Sequence, residues 1–142
     1  PGTFTIEAAK RVGESGKFFA IDIQQAIIAR LDVRLRAEGL TAVTTKVASA
    51  DNLPFPDRTF DRVFMVGVLG EIPDKHKAIS EFKRVLKDNG LLAIGELLPD
   101  PDYPLRKTVI KWCNDASLEL VNKHGSILHY LLIFKKALTG SS

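Results

Sequence analysis

Apolar positions along this chain alternate between two rhythms. Thr5 to Val12 is built of good helix formers and is closed by Gly13 and Gly16. Lys17 to Ile23 is a short, nearly continuous apolar run, the pattern of a strand buried on both faces. From Gln24 to Glu38, Ile27, Ile28, Leu31 and Leu35 recur between charges, which predicts an amphipathic helix ended by Gly39. Ala42 to Ala48 alternates and is β-branched, hence a strand. Asp51 to Thr59 carries two prolines and reads as a loop, and Phe60 to Val68 as a second buried strand. Asp74, just after Pro73, caps a predicted helix that runs to Asp88 and stops at Asn89-Gly90. Leu91 to Leu98 is another apolar strand. The stiff segment Pro99 to Pro104 then leads into a helix from Leu105 to Ala116. Leu118 to Lys123 and His129 to Lys136 are two last strands joined around Gly125.

Helices and strands alternating in this order predict an α/β fold, a mostly parallel sheet with helices on both faces. Only a short turn separates the last two strands, so the final one must run antiparallel to its predecessor. Neither repeats nor a linker interrupt the pattern. One domain over residues 1–137 and a flexible tail over 138–142 are expected.

Composition changes this picture little. The 142 residues are 45% hydrophobic and 26% charged, as in ordinary globular domains and unlike disordered chains. A lone cysteine, Cys113, cannot form an internal disulfide and is too little for a cysteine-based zinc site; a reducing, cytoplasmic setting fits it. No apolar run reaches the roughly 18 residues of a spanning helix, so no membrane partner is expected. The net charge of +3 is spread at helical and strand-end spacing, as on solvated faces and not as a stripe for nucleic acid.

Four segments carry a family pattern: Pro1-Gly2-Thr3-Phe4-Thr5, Phe18-Phe19-Ala20-Ile21-Asp22, Ser49-Ala50-Asp51-Asn52-Leu53-Pro54-Phe55-Pro56-Asp57, and Phe60-Asp61-Arg62-Val63-Phe64-Met65. In this order the chain resembles the class I S-adenosylmethionine (SAM)-dependent methyltransferases, in the type 11 branch with an L-P-F-P-D loop. The resemblance implies a Rossmann-like sheet of order 3-2-1-4-5-7-6 closed by an antiparallel hairpin. It also implies a first strand ending in D-x-G-x-G-P-G, of which Pro1-Gly2 matches only the last two letters, so that strand 1 is expected to be missing.

The resemblance implies S-adenosyl-L-methionine as cofactor and distributes its contacts. Gly2 and the helix start after it would offer backbone N–H groups. Asp22, at a strand end with Ile23 beside it, would accept from the ribose hydroxyls. A nicotinamide cofactor would use the same geometry, so Asp22 alone leaves both open. The adenine contact falls on Ser49, four residues before Leu53, with Asp51 or the Ala50–Asp51 backbone able to take it over; a plain turn is the alternative. Val66, in the strand end that precedes Gly67, borders the methionine portion. Where relatives carry an aromatic residue or histidine stands Gly70, which leaves Glu71 as the nearest group for proton work and the candidate catalytic residue.

A SAM-dependent methyltransferase acting on a small-molecule acceptor is the leading expectation. A catalytically inactive remnant serving as an oligomerisation or interaction module is the alternative. A nicotinamide-dependent oxidoreductase fits the closing hairpin and the proline-rich loop less well. Two apolar strands deprived of a neighbour would need covering, and a homodimer is expected from them.

Overall fold

The computed structural model describes residues 3–13, 16–66, 69–97, 104–126 and 129–138. Gly2, Val68, the start of the Pro99–Pro104 segment and the tail beyond Leu138 lie outside the described residues. The chain divides into two compact units, Pro1–Ala50 and Asp51–Ser142.

The first unit contains α1 (Thr3–Val12), β1 (Phe18–Asp22), α2 (Gln25–Ala37) and β2 (Val43–Val47). β1 and β2 pair in parallel, with Phe18 opposite Val43 and Asp22 opposite Val47. Ile6 of α1 and Leu31 and Leu35 of α2 form a small core against Ala20, Leu40 and Val43. Ladder partners share a face and side chains alternate along a strand, so Phe18, Ala20, Val43 and Thr45 all point to the helical side. The Thr45 hydroxyl donates to Asp32 Oδ1 of α2 at 2.6 Å and pins that helix to the same face.

The second unit contains β3 (Phe60–Val66), a short 3-10 turn at Leu69–Glu71, α3 (Lys75–Val85), β4 (Leu86–Leu97), α4 (Arg106–Asp115), β5 (Leu118–Gly125) and β6 (His129–Lys136). Its four strands lie in the order β3-β4-β6-β5. β3 and β4 are parallel, whereas β6 runs antiparallel to both of its neighbours. Within each unit the strand order is that of the expected sheet, with β1 and β2 as its second and third strands and β3-β4-β6-β5 as its 4-5-7-6 segment.

Leu92 and Ile94 of β4 and Leu132 and Phe134 of β6 are fully buried on one face. Ala78, Ile79, Phe82 and Val85 of α3 and Val109 and Cys113 of α4 complete this core. Burial pushes the Cys113 thiol up to about 12, so the sulfur behaves as a small apolar group. Tyr130 is buried beside them, and its hydroxyl donates to the Pro104 carbonyl at 2.7 Å. Across the helices, Lys75 Nζ and the His76 ring approach the Trp112 ring at 5.9 and 6.4 Å.

Two sequence expectations are corrected. The helix expected from Asp74 to Asp88 is Lys75–Val85, capped as expected by Asp74, whose carboxylate accepts the Lys77 N–H at 3.0 Å. It ends early because the Arg84 and Val85 carbonyls accept the Arg58 and Thr59 N–H groups at 2.9 and 2.8 Å, while Leu86 turns into the ladder opposite Phe60. Lys87 to Gly90 form a bulge there, since Leu86 faces Phe60 and the next pair is Leu91 with Arg62. A side chain at Gly90 would come within 2.9 Å of the Asp61 carbonyl, which accounts for glycine at that point. The second correction concerns burial. β1 and β3 are half-buried strands: only Phe18 and Met65 in them are buried, and Asp61, Arg62 and Phe64 are exposed. In β3 the charged pair faces water at the edge of a four-stranded sheet, where an apolar-run reading overlooks it.

Candidate cofactor site

In open α/β sheets ligands gather at the carboxyl ends of parallel strands. In the first unit that edge carries Asp22 and Ile23 after β1 and Ser49 and Ala50 after β2. The Ala48 N–H donates to the Asp22 carbonyl at 3.0 Å, so the ladder holds the two strand ends together beyond its last paired residues. The Gln24 N–H donates to Asp22 Oδ1 at 2.7 Å and orients the carboxylate at the mouth of α2. Ile23 is 68% exposed, an apolar side chain standing in water directly after that carboxylate. A fixed carboxylate acceptor next to exposed apolar surface has the chemistry of a nucleoside site, with hydroxyls to accept from and a flat ring to cover. This acceptor and its apolar neighbour therefore fit the adenosine portion of SAM. A separate cleft of about 80 Å³, lined by Ala9, Gly13, Phe18, Gly39 and Val43 among others, lies at the opposite, amino ends of the strands.

In the second unit, Asp51 opens the chain two residues before buried Leu53. Val66 ends β3 opposite Gly95 of β4. Glu71 closes the 3-10 turn with its side chain exposed. Gly2 lies outside the described residues. No group of three or more His, Cys, Asp or Glu side chains among the described residues could hold a metal ion.

Two features here escaped the sequence reading. Glu96, near the carboxyl end of β4, is 1% exposed and is the only buried polar or charged residue among those described; it faces Tyr130 across the ladder. Its signal was present, as a single acid inside the apolar run Leu91 to Leu98. The other is the Arg84 guanidinium, which binds Glu81 through both ends at 2.6 and 3.1 Å and reaches across to the proline-rich loop. It donates to the Phe55 carbonyl at 2.8 Å, to Asp57 Oδ1 at 2.9 Å and to the Leu53 carbonyl at 3.1 Å. Glu81 Oε1 in turn accepts the Leu53 N–H at 2.8 Å.

This network moves both titrations. The Arg84 hydrogen bond, helped by the Leu53 N–H, holds the Glu81 carboxyl below its ordinary value of 4.5 against an opposing burial effect. The bonds to Glu81 and then Asp57 raise the already high Arg84 value. A carboxyl depressed in the folded state stabilises the fold above its unfolded value, and that contribution is lost as pH falls through the folded value. The Glu81 contribution is thus complete above about pH 4.5 and disappears on acidification below it. Glu81→Gln is expected to flatten the acid limb of stability below pH 4.5 relative to the parent, as measured by urea unfolding at stepped pH. An unchanged slope would show that Glu81 contributes nothing to acid sensitivity.

Comparison with known proteins decides the family. A family model described as a methyltransferase domain matches residues 1–90. Over 107 residues, 75% of this chain, the sequence is 36% identical to the ubiquinone/menaquinone biosynthesis C-methyltransferase UbiE of Cronobacter sakazakii. The chain belongs to the class I SAM-dependent methyltransferases, in the type 11 branch. A demethylmenaquinone methyltransferase of Lactobacillus johnsonii is 34% identical over 107 residues. In each of these two relatives the match spans 43% of the length, so the chain covers less than half of them. A SAM-dependent methyltransferase structure from Aquifex aeolicus superposes with a TM-score of 0.87 at 25% identity, covering 94% of this chain and 76% of its own. The methyltransferase cofactor is S-adenosyl-L-methionine, and the carboxylate acceptor at the Asp22 edge fits its adenosine portion.

Proposed function

We propose that this methyltransferase domain acts on a small-molecule acceptor, with the Asp22 edge holding the adenosine portion of SAM. The observation that carries the reading is the Asp22 carboxylate, oriented by the Gln24 N–H at the carboxyl end of β1 with exposed Ile23 next to it. When bound, SAM supplies an electrophilic methyl group. The protein's own work is then positioning and exclusion of water. Asp22 accepts from the ribose hydroxyls, Ile23 covers the adenine, and the Ser49-Ala50-Asp51 segment borders the ring. The family resemblance assigns Val66 to the methionine portion and Glu71 to the proton that an acceptor loses on methylation. The names of the relatives, two quinone-pathway methyltransferases, favour a ring carbon of a quinone precursor as the acceptor class.

Calorimetric titration with SAM and with NAD, followed by transfer of labelled methyl to hydroxylated aromatic acceptors, tests the reading. Binding of NAD and not SAM would overturn it, and SAM binding without transfer to any such acceptor would leave only the cofactor part. The proposal includes a homodimer. Phe64 and Leu131 are 40% and 37% exposed, and the ladder register places both on the sheet face opposite the α3–α4 core. Sedimentation at micromolar concentration is expected to show a dimer, which Phe64→Ser should weaken. A monomer at that concentration would remove the dimer from the proposal.

A further inference from the structure

The bulge at the start of β4 is crowded at one residue and open at the one before it. Gly90 is buried, and a Cβ there would run into the Leu86 side chain and the Asp61 carbonyl oxygen. The bulge therefore demands glycine at this point. Asn89, immediately before it, is exposed, as is Asp88. Neither belongs to the paired register, which passes from Leu86 opposite Phe60 to Leu91 opposite Arg62.

Asparagine is a chemically labile residue, and most so before glycine. With no Cβ on glycine, its amide nitrogen can turn toward the asparagine side-chain carbonyl. The chain contains four asparagines, and only Asn89 is followed by glycine. The Leu53 N–H that follows Asn52 is held by Glu81 Oε1 at 2.8 Å. Asn114 and Asp115 end α4, where helical backbone aims the Asp115 N–H back along the axis. Asn122 precedes Lys123, whose Cβ hinders the approach.

We propose that Asn89 is a site of spontaneous deamidation, and that its isoaspartyl product loosens the β3–β4 junction. The deprotonated Gly90 nitrogen attacks Asn89 Cγ, and the bond from Cγ to the side-chain nitrogen breaks. The proton lost from the Gly90 N–H is returned through solvent to the leaving group, which departs as ammonia. Water then opens the resulting succinimide at either carbonyl. Opening at the backbone carbonyl gives isoaspartate, with the main chain running through Cβ; opening at the side-chain carbonyl gives aspartate. Either product adds one negative charge beside Asp88, whose carboxylate already pairs with Lys136 at 3.3 Å. Isoaspartate also inserts a backbone atom just ahead of Gly90, where Leu86 and Asp61 leave no room. Leu91, the next residue, opens the run of parallel pairs that continues to Gly95 opposite Val66, so the added length falls on that register.

The test incubates the parent chain and Asn89→Gln, whose longer side chain disfavours the five-membered ring, at neutral and mildly alkaline pH. Each is held both native and denatured in urea. Peptides spanning Asn89 are followed by mass spectrometry, with the isoaspartyl isomer resolved by chromatography. The native parent is expected to convert faster at higher pH and within about tenfold of the denatured rate, an opening cost below about 1.4 kcal/mol. A native rate slower than that would show that the bulge holds Asn89 out of reach, and it overturns the site. Urea midpoints before and after ageing test the consequence. The aged parent should unfold at lower urea, whereas Asn89→Gln aged alongside keeps its midpoint. Asn89→Asp carries the charge without the extra backbone atom and should unfold near the unaged parent. Equal shifts in the parent and Asn89→Gln, or an Asn89→Asp midpoint as low as that of the aged parent, overturn the loosening by isoaspartate.

Discussion

Replacing Gly125 with alanine is expected to destabilise the protein by about 2–5 kcal/mol, the sum of a left-handed backbone penalty and an overpacking term. Gly125 has φ 91°, and a Cβ there would overlap the His129 carbonyl oxygen and stand 3.0 Å from the Tyr130 Cα. Both obstacles are backbone, so no rotamer change relieves them. Gly125 also pairs with Tyr130, and Tyr130 ties the hairpin to the Pro104 carbonyl ahead of α4. A rearranged hairpin would therefore disturb β6 in the middle of its sheet and not only at a loop tip. Urea unfolding measures the effect, and a midpoint within error of the parent would mean the hairpin tolerates a side chain where the geometry leaves no room.

Asp22→Ala is expected to weaken SAM binding by about 1.5–3 kcal/mol, a roughly 10- to 150-fold rise in Kd, the range for hydrogen bonds to a charged group. Stability should change far less. The carboxylate lies at a strand end and its partner, the Gln24 N–H, stands beside water. Calorimetry of the parent and the variant, paired with thermal unfolding, separates the two effects. Unchanged affinity would place the cofactor away from the β1 edge, and a large loss of stability would make Asp22 a fold residue first.

Much of the fold is written in local pattern. The bounds of β6, His129–Lys136, follow from its apolar run, and its antiparallel direction follows from the shortness of the turn before it. Asp74 caps α3 as a residue of its type after a proline should. The end of α3 was not legible, because it is decided by the Arg58 and Thr59 amides, which reach the helix from 26 residues earlier in the chain. The same holds for Arg84, whose loop partners lie 27 to 31 residues away. Glu81 and Arg84, one turn apart, read from sequence as an ordinary surface pair. At the candidate site, the expectation that strand ends converge matches a parallel register that carries the ends of β1 and β2 to the same side, with Asp22 opposite Val47. What pattern could not supply was the orientation of each side chain, such as the Gln24 contact that fixes the Asp22 carboxylate.

The position of β6 has a consequence for biosynthesis. Among the described strands of the second unit it comes last in the chain, yet it lies between β4 and β5, and it contributes Leu132 and Phe134 to the centre of the core. Synthesised from the N-terminus, the second unit emerges with β3, α3, β4, α4 and β5 complete but with no contact in its sheet order that joins β4 directly to β5. The sheet can close only after residues 129–136 have left the ribosome. Until then the apolar faces of β4 and α3 stay open to chaperones and to other nascent chains. A stop codon shortly before His129 would remove the middle of the sheet, and the yield of folded protein would fall as a step and not in proportion to the residues lost.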